Sequence, residues 1–357
     1  MEISSIPSRC LESFRRGGVI PAQPLALNAQ RKLSERHQRA LTRYYIASGA
    51  RGLAVGVHST QFEIRDPAVG LFEPVLRLAS ETIDSAQAGR EQAFLKIAGV
   101  CGKTPQAVQE ALFARATGYH ACLLSLAALK EAGVSELIGH CREIAAIMPV
   151  IGFYLQSSVG GRPLPYAFWR DFADIPNVLG IKIAPFNRYR TLDVVRAVCD
   201  AGREKEIVLY TGNDDNIVAD LLTPFRVRTA KGACEVRIVG GLLGHWAVWT
   251  RKAVELLAEC HRCVSQGVIP QAMLTRAAEV TDANAALFDA ANGFAGCIPG
   301  IHEVLRRQGL MPGILCLNPR EQLSPGQSDE LDRVQAAYPH LNDDDFVREN
   351  LSEWLAD

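Results

Sequence analysis

Eight short apolar runs, each followed by a stretch of helical periodicity, constrain the fold of this chain more than any other feature. The runs are Gly18–Leu27, Gly52–Val57, Phe94–Val100, Ala121–Leu126, Pro149–Gln156, Val178–Pro185, Ile207–Gly212 and Cys234–Gly241. Between them lie helical patterns such as Ser34–Ser48, Leu71–Ala88, Pro105–Thr117, Ser135–Ile147, Pro165–Ala173 and Thr191–Ala201. Strand and helix alternating eight times, with helices long enough for right-handed crossovers, predicts a closed parallel (β/α)8 barrel rather than an open sheet. Helical patterns then continue through Trp246–Gln266, Gln271–Asn292, Pro299–Gln308, Ser328–Ala337 and Asp343–Leu355, more than one closing barrel element needs. The expected division is a barrel over residues 1–265 and a C-terminal helical extension over 266–357 packed on it. Leu317–Gln327, rich in Pro, Ser and Gln, reads as a connector.

The sixth run carries one charged residue. Lys182 sits inside Val178-Leu-Gly-Ile-Lys-Ile-Ala-Pro185, where a strand is expected to be buried and an ammonium group is expensive. Burial disfavours the charged form, and a desolvated lysine that loses its proton near neutral pH attacks carbonyls to give a Schiff base. Twenty-eight positions earlier, Tyr154 lies in Pro149-Val-Ile-Gly-Phe-Tyr-Leu-Gln156 and offers a phenolic proton carrier. Alternation puts Val150, Gly152, Tyr154 and Gln156 on one face, and Gly180, Lys182 and Ala184 on one face of the next strand. With those mixed faces turned inward, Tyr154 and Lys182 both point into the barrel near its C-terminal end, where barrel enzymes place their chemistry.

Composition narrows the partners. Thirty-eight basic residues against 39 acidic, with 48% hydrophobic residues and no dense Lys/Arg block, argue against nucleic acid and for small molecules. No uncharged stretch has the length of a membrane span, and Met1–Pro7 lacks a basic-then-apolar signal pattern, so a cytoplasmic protein is expected. The ten cysteines lie mostly in apolar segments and read as reduced core thiols. Cys260-His-Arg-Cys263 falls within a helical pattern and has no second pair at zinc-ribbon spacing.

The residues around Tyr154 and Lys182 resemble the dihydrodipicolinate synthase and N-acetylneuraminate lyase superfamily. Pro-Val-Ile-x-x-Tyr at 149–154 and Ile-Pro-Asn-Val-Leu-Gly-Ile-Lys at 175–182 carry the likeness, as does the spacing between them. It extends through Gly17-Gly-Val-Ile-Pro21, Gly-Leu-Ala-Val-Gly at 52–56, Ala98-Gly-Val100, Thr-Gly-Asn-Asp-Asp at 211–215 and His302–Leu310. The resemblance implies a class I aldolase or lyase acting on a 2-oxo acid such as pyruvate plus an aldehyde. Lys182 would be the imine-forming nucleophile and Tyr154 the proton relay, with no cofactor or metal, in a homodimer or homotetramer. Ser59 and Thr60, in Gly56-Val-His-Ser-Thr-Gln61, stand where the family places hydroxyls, and His58 competes for the same place. Two departures speak against genuine dihydrodipicolinate synthesis. Val159 occupies the position of the family's carboxylate-binding arginine, and Leu124–Ala128 lacks its second tyrosine.

Other candidates have two readings each. Arg162, in Ser158-Val-Gly-Gly-Arg162, is an anion clamp or part of a plain connection. Arg188 and Arg190 offer a replacement clamp or solvated charges. Asn213 and Asp214 line the site or begin a helix. Gly240 and Gly241 allow close approach of a ligand or of the next helix. His58, Asp214, Asp215 and His245 are the ligand set of the competing expectation, a metal-dependent barrel lyase. A third possibility is a non-catalytic keto-acid sensor.

Overall fold

The computed structural model describes residues 1–88, 93–230 and 232–356, so Asp357, the end of the expected extension, lies outside the described residues. The first seven strands are β1 (Val19–Pro21), β2 (Gly52–Val55), β3 (Leu95–Val100), β4 (Ala121–Leu124), β5 (Val150–Leu155), β6 (Val178–Ala184) and β7 (Val208–Thr211). An antiparallel hairpin of β8 (Phe225–Thr229) and β9 (Gly232–Val236) follows, and then β10 (Ile238–Leu243). β1 to β7 and β10 form one parallel sheet in the order β1-β10-β7-β6-β5-β4-β3-β2. A bridge between Ala22 and Ala54 joins its two ends, with the Gln23 amide donating to the Ala54 carbonyl at 2.9 Å. This is a (β/α)8 barrel.

Strands buried on both faces read as continuous apolar runs, which is why these eight segments stood out. Ile20, Ala54, Ile97, Leu123, Ile151 and Leu242 fill the interior, while Val19, Leu53, Val100, Leu124, Val150 and Ile181 pack against the helices.

Two parts of the barrel departed from expectation. The run Cys234–Gly241 is not one strand: Cys234–Val236 belongs to the half-exposed hairpin, and the barrel strand starts at Ile238 and runs to Leu243. The break falls at Arg237, whose guanidinium turns away to the Leu222 carbonyl. The second is a helix, Ser8–Arg16, ahead of the first strand. Ile6, Cys10 and Phe14, spaced by four, join the interior cluster. Phe14 stacks on Tyr210 with ring centroids 4.5 Å apart, and the Tyr210 hydroxyl donates to the Phe14 carbonyl at 2.9 Å.

After the helix Thr250–Gln266 come Ala272–Leu287, Cys297–Arg307, Gln327–Ala337 and Asp344–Trp354, the C-terminal helical part. Buried Asp343 ties it to the barrel by accepting from the Tyr44 hydroxyl at 2.8 Å, the Arg251 amide at 3.0 Å and Gln308 Nε2 at 2.9 Å. Among the described residues no helix is long and apolar enough to cross a membrane.

Candidate active site

Register decides which side chains meet at the C-terminal end of the barrel. Residues paired across parallel strands share a face, and Lys182 pairs with Phe153, whereas Tyr154 pairs with Ile183. Lys182 points inward, so Phe153 does too, and Lys182 Nζ stands 4.4 Å from the centre of its ring. The expected inward face of β5 is therefore corrected: Ile151, Phe153 and Leu155 face the interior, and Tyr154 faces the helices. The physical reason is an irregularity at the start of the β5–β6 pairing, where Val150 pairs with Val178 but Ile151 with Gly180, leaving Leu179 as an extra residue.

Outside the barrel wall, the Tyr154 ring packs against Trp169 at 5.2 Å. Its hydroxyl donates to the Leu164 carbonyl at 3.1 Å and accepts from the Leu164 amide at 3.2 Å. Burial raises its pKa above the ordinary phenol value, against the lowering effect of those bonds and of nearby Arg190. Tyr154→Phe is expected to cost about 1–2 kcal/mol of stability, because the Leu164 amide loses its acceptor. Its effect on any reaction at Lys182 is expected to be small, and denaturant unfolding beside an activity assay checks both.

The inward side chains surround a small cavity open to the C-terminal end of the barrel. Its walls include Phe153 and Leu155 of β5, Lys182 and Ala184 of β6, Phe186, and Gly212 and Asp214 beyond β7. Val57, His58 and Ser59 complete the rim beyond β2, and Phe288, Cys297 and Ile301 from the C-terminal helical part form the roof. Sequence reasoning missed that roof. Asp289 and Gln327 hold it together: Asp289 Oδ2 accepts from the Gly296 amide at 2.9 Å, and Gln327 Nε2 donates to the Gly296 carbonyl at 3.0 Å.

Lys182 is 7% exposed, and no described residue accepts a hydrogen bond from it or pairs with it within 4 Å. Burial draws it down to about 8, with Asp214 pulling the other way. Burial likewise pushes Asp214 up to about 7, opposed by the bond its carboxylate accepts from the His245 amide and by Lys182. That bond, 2.9 Å long, uses Oδ1 and leaves Oδ2 without a hydrogen bond among the described residues. Burial and then the Lys182 charge hold His58 down to about 4, so the imidazole on the rim is neutral at pH 7. The Cys297 thiol is pushed well up by burial and then by Asp214, and remains protonated. Gly212 gives the lysine its room: a Cβ there would lie 2.6 Å from Lys182 Cε.

The other candidates fall outside this cavity or serve its frame. Ser59 lines it but donates its hydroxyl proton to the Ala22 carbonyl at 2.9 Å. Thr60 does not line it: its hydroxyl donates to the Gln23 carbonyl at 2.7 Å and accepts from the Gly56 amide at 3.0 Å. Arg162 binds the Leu129 carbonyl, away from the wall. Gly240 and Gly241 serve packing, because a Cβ would meet the Gly18 backbone at 2.6 Å or the Trp246 ring at 2.4 Å. Asp215 and His245 do not line the cavity with Asp214 and His58. Among the described residues no three His, Cys, Asp or Glu side chains converge as a metal site.

Asn213 is a positioning residue. Its Oδ1 accepts from the Phe186 amide at 3.0 Å, at a residue held with φ of 48°, and its Nδ2 donates to Asp220 Oδ2 at 2.9 Å. Fully buried Asp220 also accepts from Thr211 Oγ1 at 2.7 Å and pairs with Arg188, which explains why that arginine is not a substrate clamp. Asp220→Ala would leave Thr211 and Asn213 short of an acceptor and is expected to cost about 2–4 kcal/mol, read by chemical denaturation.

The barrel fold has solved counterparts. The dihydrodipicolinate synthase from Acinetobacter baumannii, crystallised with pyruvate, matches 90% of this chain and 98% of its own at 18% identity and a TM-score of 0.70. N-acetylneuraminate lyase from Fusobacterium nucleatum matches 91% of this chain and 99% of its own at 15% identity and a TM-score of 0.69. The dihydrodipicolinate synthase from Aquifex aeolicus matches at 18% identity, 91% and 99% coverage and a TM-score of 0.69. The chain therefore shares the fold of these lyases. No protein-family model and no curated protein matches it in sequence.

Proposed function

We propose that the protein is a Schiff-base lyase or aldolase acting on a 2-oxo acid such as pyruvate together with an aldehyde. The observation that carries this reading is Lys182, a buried amine that no described carboxylate pairs with, in a cavity also lined by Asp214, a carboxyl near its own titration point. The amine adds to the keto carbon, and loss of water gives the imine. Removal of a proton from the adjacent carbon then gives the enamine that attacks the aldehyde, and the reverse sequence cleaves an aldol.

Proton transfer in this reading belongs to Asp214 rather than Tyr154, because Asp214 Oδ2 is unengaged within the cavity and the phenol lies behind the barrel wall. Genuine dihydrodipicolinate synthesis is not the proposed reaction: no arginine is among the residues lining the cavity, and Val159 lies on its wall. A homodimer or homotetramer in the cytoplasm belongs to the same reading, although one structural neighbour is described as a monomeric dihydrodipicolinate synthase variant.

The test is intact-mass spectrometry after incubation with pyruvate and sodium borohydride, followed by peptide mapping. An adduct on Lys182 supports the reading. Folded protein that gives no adduct with pyruvate or a panel of 2-oxo acids would sink it. Imine formation without turnover of any aldehyde would turn the function to keto-acid sensing.

A further inference from the structure

Two thiols meet at the end of the barrel away from Lys182. The helix Arg188–Ala201 ends there, and the β8–β9 hairpin leads from there into β10. Cys234 Sγ donates to Cys199 Sγ at 2.6 Å, across 35 positions of chain. That is far inside an ordinary contact between two sulfur atoms and approaches the bonded separation of about 2.05 Å. Two thiolates on one tetrahedral metal would stand about 3.8 Å apart, given a metal–sulfur distance of about 2.3 Å, so the pair is too close to share an ion.

The two partners differ in access. Cys199 is 2% exposed, whereas Cys234 is half-buried on β9 and lines a surface groove with Arg15, Lys205, Arg237, Glu204 and Glu235, through which a small oxidant reaches it. Burial, then the Cys234 thiol beside it, push the Cys199 thiol well up, so it holds its proton until a reactive sulfur is presented to it. The hairpin itself is weakly anchored. It pairs with no third strand, exposes Arg226 and Arg228, and rests on the core through Phe225, Val227, Cys234 and Val236. A two-stranded hairpin on its own is marginally stable in water.

We propose that Cys199 and Cys234 are a thiol-oxidation site, whose disulfide staples the β8–β9 hairpin to the helix Arg188–Ala201. The oxidant is a small organic disulfide such as oxidised glutathione. The Cys234 thiolate attacks one of its sulfurs, which forms a mixed disulfide and releases the first glutathione as thiolate. Cys199 then attacks Cys234 Sγ; the bond between the two protein sulfurs forms, and the second glutathione leaves. Each departing thiolate takes up one protein thiol proton, so the two cysteines lose two electrons and the organic disulfide gains them. Val227 pairs with Cys234, which puts the covalent tie opposite the β8 position between Arg226 and Arg228. Closing a loop of 35 positions also restricts the unfolded chain. Neither cysteine lines the cavity of Lys182, so the site stands apart from the Schiff-base reading.

The test incubates the full chain with oxidised glutathione, blocks the remaining thiols with iodoacetamide and maps the peptides without reductant. A peptide cross-linked through Cys199 and Cys234 is expected, and dithiothreitol is expected to release it. Cys199→Ser is expected to stop at a glutathione adduct on Cys234, and Cys234→Ser to give neither product. Trypsin cleavage of the folded protein after Arg226 and Arg228 is expected to slow at least about tenfold on oxidation, and to be insensitive to oxidation in Cys234→Ser. Because Cys234 is half-buried, its serine variant supplies a folded control should Cys199→Ser fail. Folded protein without the cross-link, a glutathione adduct on Cys234 that persists while Cys199 is present, or equal cleavage with and without the cross-link would each overturn the proposal.

Discussion

Lys182→Ala is expected to abolish the trapped pyruvate adduct and to lower aldol turnover by at least about 10³-fold, since no other cavity group can form an imine. The same amine predicts a pH dependence. With Lys182 drawn down to about 8 by burial, roughly a tenth of it is free amine at pH 7, against less than about a thousandth for an ordinary lysine. Trapping in the parent protein is therefore expected to rise from pH 6 and level off by about pH 9. A rate still climbing through pH 10 would show that the amine is not desolvated as the fold implies. Alanine at 182 removes a side chain that lacks ion-pair partners among the described residues, so the variant is expected to fold, and circular dichroism checks that the loss is chemical.

Asp214→Asn is expected to separate imine formation from turnover. The Asp214 charge raises the Lys182 value, so its removal should shift half-maximal trapping to lower pH and leave trapping at neutral pH equal or faster. Turnover should fall by about 10²–10⁴-fold, the usual range for loss of a positioned acid or base. A carboxyl pushed up to about 7 interconverts readily near neutrality, which suits a group that must give and take a proton within one cycle. Equal losses in trapping and turnover would count against this role and favour a purely structural one. Asparagine can still accept the His245 amide bond, so the loop geometry survives the change.

Much of the barrel could be read from the sequence because strand and helix periods alternate and each buried strand is a short apolar run. The C-terminal helices were legible for the same reason. Direction within β5 was not, because Val-Ile-Gly-Phe-Tyr-Leu is apolar on both faces and alternation alone cannot choose between them. The extra residue at Leu179 then defeats counting from one strand to the next. Lys182 was legible because an ammonium group in an apolar run is conspicuous, whereas His58, Ser59 and Asp214 came to notice through the resemblance of Gly56–Gln61 and Thr211–Asp215 to family loops. Phe288, Cys297 and Ile301 were not legible, since apolar residues from two distant helical segments carry no mark of the cavity they close. The helix Ser8–Arg16 did leave a signal, the four-residue spacing of Ile6, Cys10 and Phe14, in a segment short enough to be passed over.

The stacking of Phe14 on Tyr210 has a kinetic consequence. The floor of the barrel is completed by a segment hydrogen-bonded to a residue 196 positions further along the chain, so the first helix cannot find its seat until β7 exists. Loop closure over such a distance is entropically unfavourable, and contacts of long sequence separation slow folding. The first helix is thus expected to dock late in refolding.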